Sequence, residues 1–328
     1  MAEPLTPPTP HEAAQSRPNS IAFPISLLTY YQSTSRLNKM TESSKTKPDG
    51  DVIANINYFP ATGIPIPTSS WKRRYLGVSD TYTRPMTVHD ARQTSKTFML
   101  DTHGFQLVKL PPKERVTAAS DEETIKRTYY PEIEELVKTL TGASTAFIFN
   151  HVIRAHSAPS DKGVLDAKGR WQDIPSGHAH VDYSGDPAHI AATQLEISLP
   201  PHVSALYSTS TRFAYLGAWR PLSTIQRDPL AVCDATSVPD EDYQVRLREF
   251  RSGVRSGNYV ISHREEGERH EWWYMSAMRD DEIVVFKGYD SLREGAWRCP
   301  HTAFELEGTE GLRSRESIEV RIVCFWEG

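Results

Sequence analysis

His178-Ala179-His180-Val181-Asp182-Tyr183-Ser184 is the stretch on which the reading of this chain turns. In an extended strand, residues two apart point to the same face. His180 and Asp182 therefore present an imidazole and a carboxylate side by side. These are two of the three ligands of an iron(II) facial triad, which leaves three cis positions for a bidentate co-substrate and dioxygen. A bare H-x-D is weak evidence, because the chain holds 12 histidines and 42 acidic residues. A strand with a surface His and Asp is the plainer account of the tripeptide alone. His178, beside the pair, reads as a solvent-facing or supporting residue.

A third ligand has to come from farther along the chain, and His202, His263, His270 and His301 are the candidates. His301 lies in Arg298-Cys299-Pro300-His301-Thr302-Ala303-Phe304. Downstream runs Ser314-Arg315-Glu316-Ser317-Ile318-Glu319-Val320-Arg321. On a strand, Arg315 and Ser317 share one face. A guanidinium and a hydroxyl can grip a carboxylate through charge-assisted bonds, the arginine supplying a two-pronged fork. The far carboxylate of 2-oxoglutarate needs such an anchor, and a late His followed by R-x-S is the order expected of an oxygenase that consumes it. Taken alone, Arg315 is better read as a surface ion pair with Glu316 or Glu319. Arg220, in Trp219-Arg220-Pro221, is either a second carboxylate anchor or stacked cation, or a brace bonding backbone carbonyls at a strand end.

The chain around these residues is mainly strand-like. Asp51 to Phe59 reads as a first strand. Ser120-Asp121-Glu122-Glu123 has the pattern of a capping box. Pro131 is placed to open a helical segment whose Ile133, Leu136, Val137 and Leu140 form one apolar face, with Gly142 as its stop. Ala146 to Arg154 reads as a buried strand in which Asn150, His151 and Arg154 need polar partners. After residue 175 the runs QLEISL, STRFAYLGAWRPL, NYVISH, WWYMSAM, EIVVFKGYD and ESIEVRIVCFW read as strands, and residues 239–252 as a helix. Tyr289-Asp290-Ser291 reads as a turn. Trp272, Trp273, Tyr274 and Phe286 suit a barrel wall. Many strands after a helical segment predict an α+β, mainly β fold: a double-stranded β-helix of the jelly-roll or cupin-like kind with flanking helices.

Composition narrows the function class. The chain has 328 residues, 38% of them hydrophobic and 24% charged, with a net charge of -5, which is ordinary for a soluble globular protein. That mild acidity argues against nucleic acid as a partner. No apolar run approaches the ~18 residues that span a bilayer. Met1 to Ser20 lacks the pattern of a secretory signal. Three cysteines without a C-x-x-C pair point to a reducing, cytoplasmic setting. Residues 1–50 are expected to be an extension, disordered or docking, with the apolar run 21–31 available to exchange in a homodimer. Residues 51–328 are expected to form a single catalytic domain. G-x-S-x-G, H-E-x-x-H, G-x-G-x-x-G and P-loop patterns are absent.

Set in order, the motifs resemble those of one family. They are Asn150-His151-x-x-Arg154, His180-Val181-Asp182, Ala218-Trp219-Arg220-Pro221-Leu222, Trp273-Tyr274, Asp281-Glu282, Phe286-Lys287-x-Tyr289-Asp290-Ser291, Pro300-His301-Thr302-Ala303-Phe304 and Arg315-Glu316-Ser317-Ile318-Glu319-x-Arg321. The family is that of the 2-oxoglutarate oxygenases related to the cephamycin 7α-methoxylation component, the gibberellin desaturase-like proteins and fungal secondary-metabolite oxygenases. The resemblance implies an Fe(II)/2-oxoglutarate-dependent dioxygenase using O2 to oxidise an unactivated C–H bond of a small, largely apolar metabolite. The outcome would be hydroxylation, desaturation or endoperoxidation. Carried over by position, His180, Asp182 and His301 would bind iron. Arg315 and Ser317, with Arg220 less firmly, would hold 2-oxoglutarate. Asn150, Arg154, Tyr183 and Trp273 would line the substrate pocket. Tyr183 stands where many relatives have a glutamine or other polar residue, which points to a different pocket shape. A zinc hydrolase on a similar barrel and a catalytically inactive binding subunit are the alternatives.

Overall fold

β1 (Val52–Asn57) and β2 (Thr83–Asp90) open an eight-stranded sheet. The computed structural model describes residues 50–61, 82–155, 175–249, 253–263 and 269–327. Within Ser43–Gly328, which cluster as one compact unit, the elements follow in chain order. After β2 come α1 (Leu100–His103), β3 (Phe105–Lys109), α2 (Glu122–Thr124), a π-helical turn (Ile125–Tyr129), α3 (Tyr130–Thr141) and β4 (Thr145–Arg154). Then come β5 (His180–Val181), α4 (Pro187–Glu196), α5 (Pro201–Ser204), α6 (Leu206–Thr209), β6 (Arg212–Pro221) and β7 (Leu230–Cys233). The chain ends with β8 (Tyr243–Glu249), β9 (Arg255–Ile261), β10 (Trp272–Tyr274), β11 (Glu282–Asp290), β12 (His301–Ala303) and β13 (Ser317–Trp326). Of the expected N-terminal extension, residues 1–49, with the 21–31 run, lie outside the described residues.

The strands form two sheets, β1-β2-β10-β7-β12-β5-β9-β8 and β3-β11-β6-β13-β4. All pairings are antiparallel except β10 with β2. Between the sheets, Trp219, Phe286 and Phe105 of the smaller pack with Val232 of the larger. The mainly β jelly-roll architecture is as expected. Alternation sets the layers. On β13, Ile318, Val320, Ile322 and Cys324 point outward to a core shared with Ile133 and Val137 of α3. Ser317, Glu319 and Arg321 fall on the opposite, inner face.

Several local expectations hold. Gly142 closes α3 in the left-handed conformation, φ 69°, where a Cβ would be strained. Pro131 sits in the first turn of α3. Others are corrected. The cap at residues 120–123 is Asp121, whose side chain accepts from Thr124 N, while Ser120 Oγ accepts from Thr117 N. Of residues 239–252, read as a helix, the described 239–249 are not one: a short turn at Asp240–Asp242 leads into β8. There Tyr243 is buried while Val245 and Leu247 are exposed on the same face of an edge strand. Gln194–Glu196, read as the start of a strand, end α4 instead. Asp186 caps that helix and Pro187 starts it, a strong local start signal. Tyr289 and Asp290 finish β11, and the chain bends only at Ser291.

Candidate metal and co-substrate site

Three donors converge at the centre of the larger sheet. β12 pairs with β5 so that His301 lies directly across from His180. Their ring centroids are 4.3 Å apart. Asp182, one residue past β5, brings Oδ1 to 3.8 Å from His180 Nε2. One donor atom from each of His180, Asp182 and His301 lies within 4.8 Å of the others. No other such group of His, Cys, Asp and Glu occurs among the described residues.

The imidazoles are set for metal. His180 Nδ1 is 2.7 Å from the carbonyl of His178, and His301 Nδ1 is 3.2 Å from that of Cys299. A carbonyl only accepts, so each Nδ1 carries the proton and each Nε2 keeps its lone pair. Burial, then neighbouring His301, pushes the His180 pKa down to about 3, which keeps the ring neutral. Phe286 packs 4.4 Å from the His301 ring. Room for Phe286 comes from Gly217, where a Cβ would meet its ring at 2.4 Å.

The expected co-substrate anchor, Arg315 with Ser317, is arranged differently from the sequence expectation. Only Ser317 is in β13; Arg315 lies in the segment just before it. Both side chains are nevertheless buried, at 3% and 1% exposure. Arg315 Nη1 donates to the carbonyl of Asp228 at 2.8 Å, and its guanidinium lies 5.3 Å from the Trp219 ring. Arg315 Nε and Ser317 Oγ are buried with no partner. A buried polar group without a partner costs about 1–3 kcal/mol, so two such atoms from one R-x-S mark a place for an acceptor. Burial, then the nearby Arg154, lowers the Arg315 pKa to about 9, with the charges of Asp228 and Glu319 acting the other way. A carboxylate would satisfy both orphaned atoms, which fits 2-oxoglutarate. A zinc hydrolase has no use for this pair.

The other candidates divide. Arg154 is the cross-strand partner of Ser317, and its charge acts on both His180 and Arg315. Asn150, exposed, is the cross-strand partner of Arg321. Tyr183 stacks on Tyr215 with centroids 4.7 Å apart, over Gly288, where a Cβ would lie 2.8 Å from its ring. Trp273 is in one cross-strand row with Val232 and His301. Its ring contacts Phe98 and His89, making it wall. Arg220 is not brought to the site. It faces α3, donating to Glu132 Oε1 at 2.8 Å and to the carbonyl of Leu110 at 2.6 Å. The brace reading is the one its bonds match. His151 also faces outward, 2.7 Å from the Tyr130 hydroxyl. Sequence reasoning passed over Arg321, whose Nε donates to Asp182 Oδ2 at 3.2 Å. The alternation Ser317, Glu319, Arg321 was the available signal.

Comparisons with known proteins give the family. A family model described as an oxidoreductase/YMDC permease-like domain matches residues 44–325. Among the described residues, no helix is long and apolar enough to cross a membrane. The hydroxylase/desaturase efuI of Hormonema carpetanum is 35% identical over 265 residues, 75% of this chain and 84% of its own length. The alpha-ketoglutarate-dependent dioxygenase phiK of a fungal species is 34% identical over 238 residues, 71% of this chain and 81% of its own. Among solved structures, the iron and alpha-ketoglutarate-dependent endoperoxidase NvfI has the same fold, with TM-score 0.63 and 23% identity over 85% of this chain and 99% of that one. The chain belongs to the Fe(II)/2-oxoglutarate-dependent dioxygenase family of these fungal hydroxylases and desaturases.

Proposed function

We propose that iron(II) is held by His180, Asp182 and His301, that 2-oxoglutarate is anchored by Arg315 and Ser317, and that a C–H bond of a small, largely apolar metabolite is oxidised beside them. The observation that carries this reading is the coincidence of three converging donors with two orphaned, buried polar atoms on one R-x-S. When bound, iron with 2-oxoglutarate and dioxygen supplies the oxidising power, and 2-oxoglutarate leaves as succinate and carbon dioxide. The protein's share is positional. The carbonyls of His178 and Cys299 fix the imidazole tautomers. Phe286 and Trp219 hold a dry floor under His301 and Arg315.

An apolar substrate is supported by the aromatic cluster that begins next to Asp182: Tyr183, partly buried, lies against Tyr215 and shares a core with Tyr289, Phe149 and Phe213. Asn150 and Arg154 complete the proposed pocket. Relatives bear names for hydroxylation and desaturation, and one for endoperoxidation; the carbon facing the metal decides among such outcomes. The proposal takes 51–328 as the catalytic unit and 1–50 as an extension to it. The three cysteines, all free and buried, suit a reducing, cytoplasmic setting.

The test is turnover of 2-oxoglutarate. Purified protein with iron(II) in air releases succinate, and His301→Ala abolishes the release. Zinc-supported hydrolysis with no succinate under any condition would contradict the proposal.

A further inference from the structure

Arg321 lies on the inner face of β13, two residues beyond Glu319 and four beyond Ser317. Its Nε donates to Asp182 Oδ2 at 3.2 Å, and its Nη2 is 3.5 Å from Glu319 Oε1. Glu319 is buried, at 7% exposure. The Asp182 carboxylate is thereby divided between two tasks. Oδ1 is the oxygen near His180 Nε2, at 3.8 Å. Oδ2 is engaged by a guanidinium that stays charged at any pH the fold survives.

This division matters for coordination. An aspartate can give a metal one oxygen or two. Two imidazole nitrogens and one carboxylate oxygen leave three cis positions, enough for a chelating keto acid and dioxygen. A second oxygen from Asp182 would take one of those positions. A charge-assisted bond to Oδ2 opposes that rotation, and groups bonded to metal ligands in this way fix ligand orientation and tune affinity.

We propose that Arg321 is a positioning residue of the metal centre, holding Asp182 to one-oxygen donation so that both donor atoms of the co-substrate have places to bind, with Glu319 holding Arg321. The inference rests on the ligand set proposed above. Arg321 acts through Asp182, so its loss changes how the metal is surrounded before it changes whether the metal binds.

The experiment uses full-length protein loaded with cobalt(II), whose visible absorption reports coordination number. Wild type, Arg321→Met, Arg321→Lys, Glu319→Gln and His301→Ala are compared by cobalt titration and spectrum, 2-oxoglutarate titration and thermal melting. Arg321→Met is expected to hold cobalt within about 10- to 100-fold of wild type, with an altered spectrum and 2-oxoglutarate affinity reduced at least about tenfold. Arg321→Lys, which keeps the charge but not the planar fork, falls between the two. Glu319→Gln shifts the spectrum in the same direction by less. A merely structural role would lower the melting temperature and leave spectrum and 2-oxoglutarate affinity unchanged below it; that result overturns the inference. If Arg321→Met does not fold, unchanged spectra and affinities in both Arg321→Lys and Glu319→Gln overturn it. Failure of the ligand set reads differently: His301→Ala would then keep the wild-type cobalt spectrum.

Discussion

His180 and His301 face each other across the β5–β12 pair, Cα opposite Cα, with ring centroids 4.3 Å apart. The register that makes them neighbours belongs to strands far apart in the chain. β7 fixes β12 from its other side, setting Val232 against His301. The proposed metal site is therefore a property of sheet order, and its parts are separable by mutation.

Removing His301 tests the ligand set first. His301→Ala is expected to weaken iron(II) binding by more than the roughly 100-fold that loss of a supporting residue produces. Iron titration under anaerobic conditions measures it. Binding within about tenfold of wild type would remove His301 from the site.

Ser317→Ala separates binding from stability. The hydroxyl is buried and unpartnered without co-substrate, so its removal leaves the melting temperature unchanged or higher. The same change deletes a bond to 2-oxoglutarate worth about 1 kcal/mol, or roughly fivefold in affinity. Arg315→Met loses a charged bond and is expected to cost roughly 10- to 150-fold in 2-oxoglutarate affinity, from about 1.5–3 kcal/mol. Calorimetric melting and titration of each variant give both numbers.

Arg220→Ala does the reverse. It strands the buried Glu132 carboxylate, 2.8 Å from Arg220 Nη1 in the wild type. Breaking such a pair costs about 3–5 kcal/mol, read by denaturant unfolding. The 2-oxoglutarate dissociation constant of the folded variant is expected to be unchanged. A weakened co-substrate affinity would restore Arg220 as an anchor.

Acid stability has a local source at Asp234. Burial raises its carboxyl pKa, but bonds from Lys96 and Thr236 outweigh burial and hold it below the ordinary value of 3.8. A depressed folded-state pKa means that the contribution is fully present above 3.8 and is lost as pH falls through the folded value. Asp234→Asn is expected to lower stability at neutral pH and to flatten the acid limb of the melting-temperature profile. An acid limb as steep as that of wild type would refute the assignment.

The legible parts of this protein were those with a period. His180, Val181 and Asp182 could be read because two-residue alternation puts both donors on one face. Ser317 was found by the same argument, although Arg315 reaches its place from outside the strand. Arg220 was ambiguous because alternation cannot say which face of β6 turns inward; Trp219 took the inside. Residues 243–249 carry the alternation of a strand, Tyr243, Val245 and Leu247 against Gln244, Arg246 and Arg248, but Gln, Leu, Arg and Glu are also good helix formers, and propensity points the other way. Arg321 was missed because its bond to Asp182 spans 139 positions, a distance no local pattern encodes. Its neighbour Glu319 looks from sequence like a surface partner.

Three donors and one R-x-S are proposed to form a single site. Anaerobic addition of iron(II) and then 2-oxoglutarate to the wild-type protein is the sharpest test. A keto acid chelating iron at such a site would give a visible charge-transfer absorption. The band is expected only with both components, is lost in His301→Ala, and needs more 2-oxoglutarate to saturate in Arg315→Met. A band that persists unchanged in His301→Ala, or none in wild type with iron bound, would contradict it.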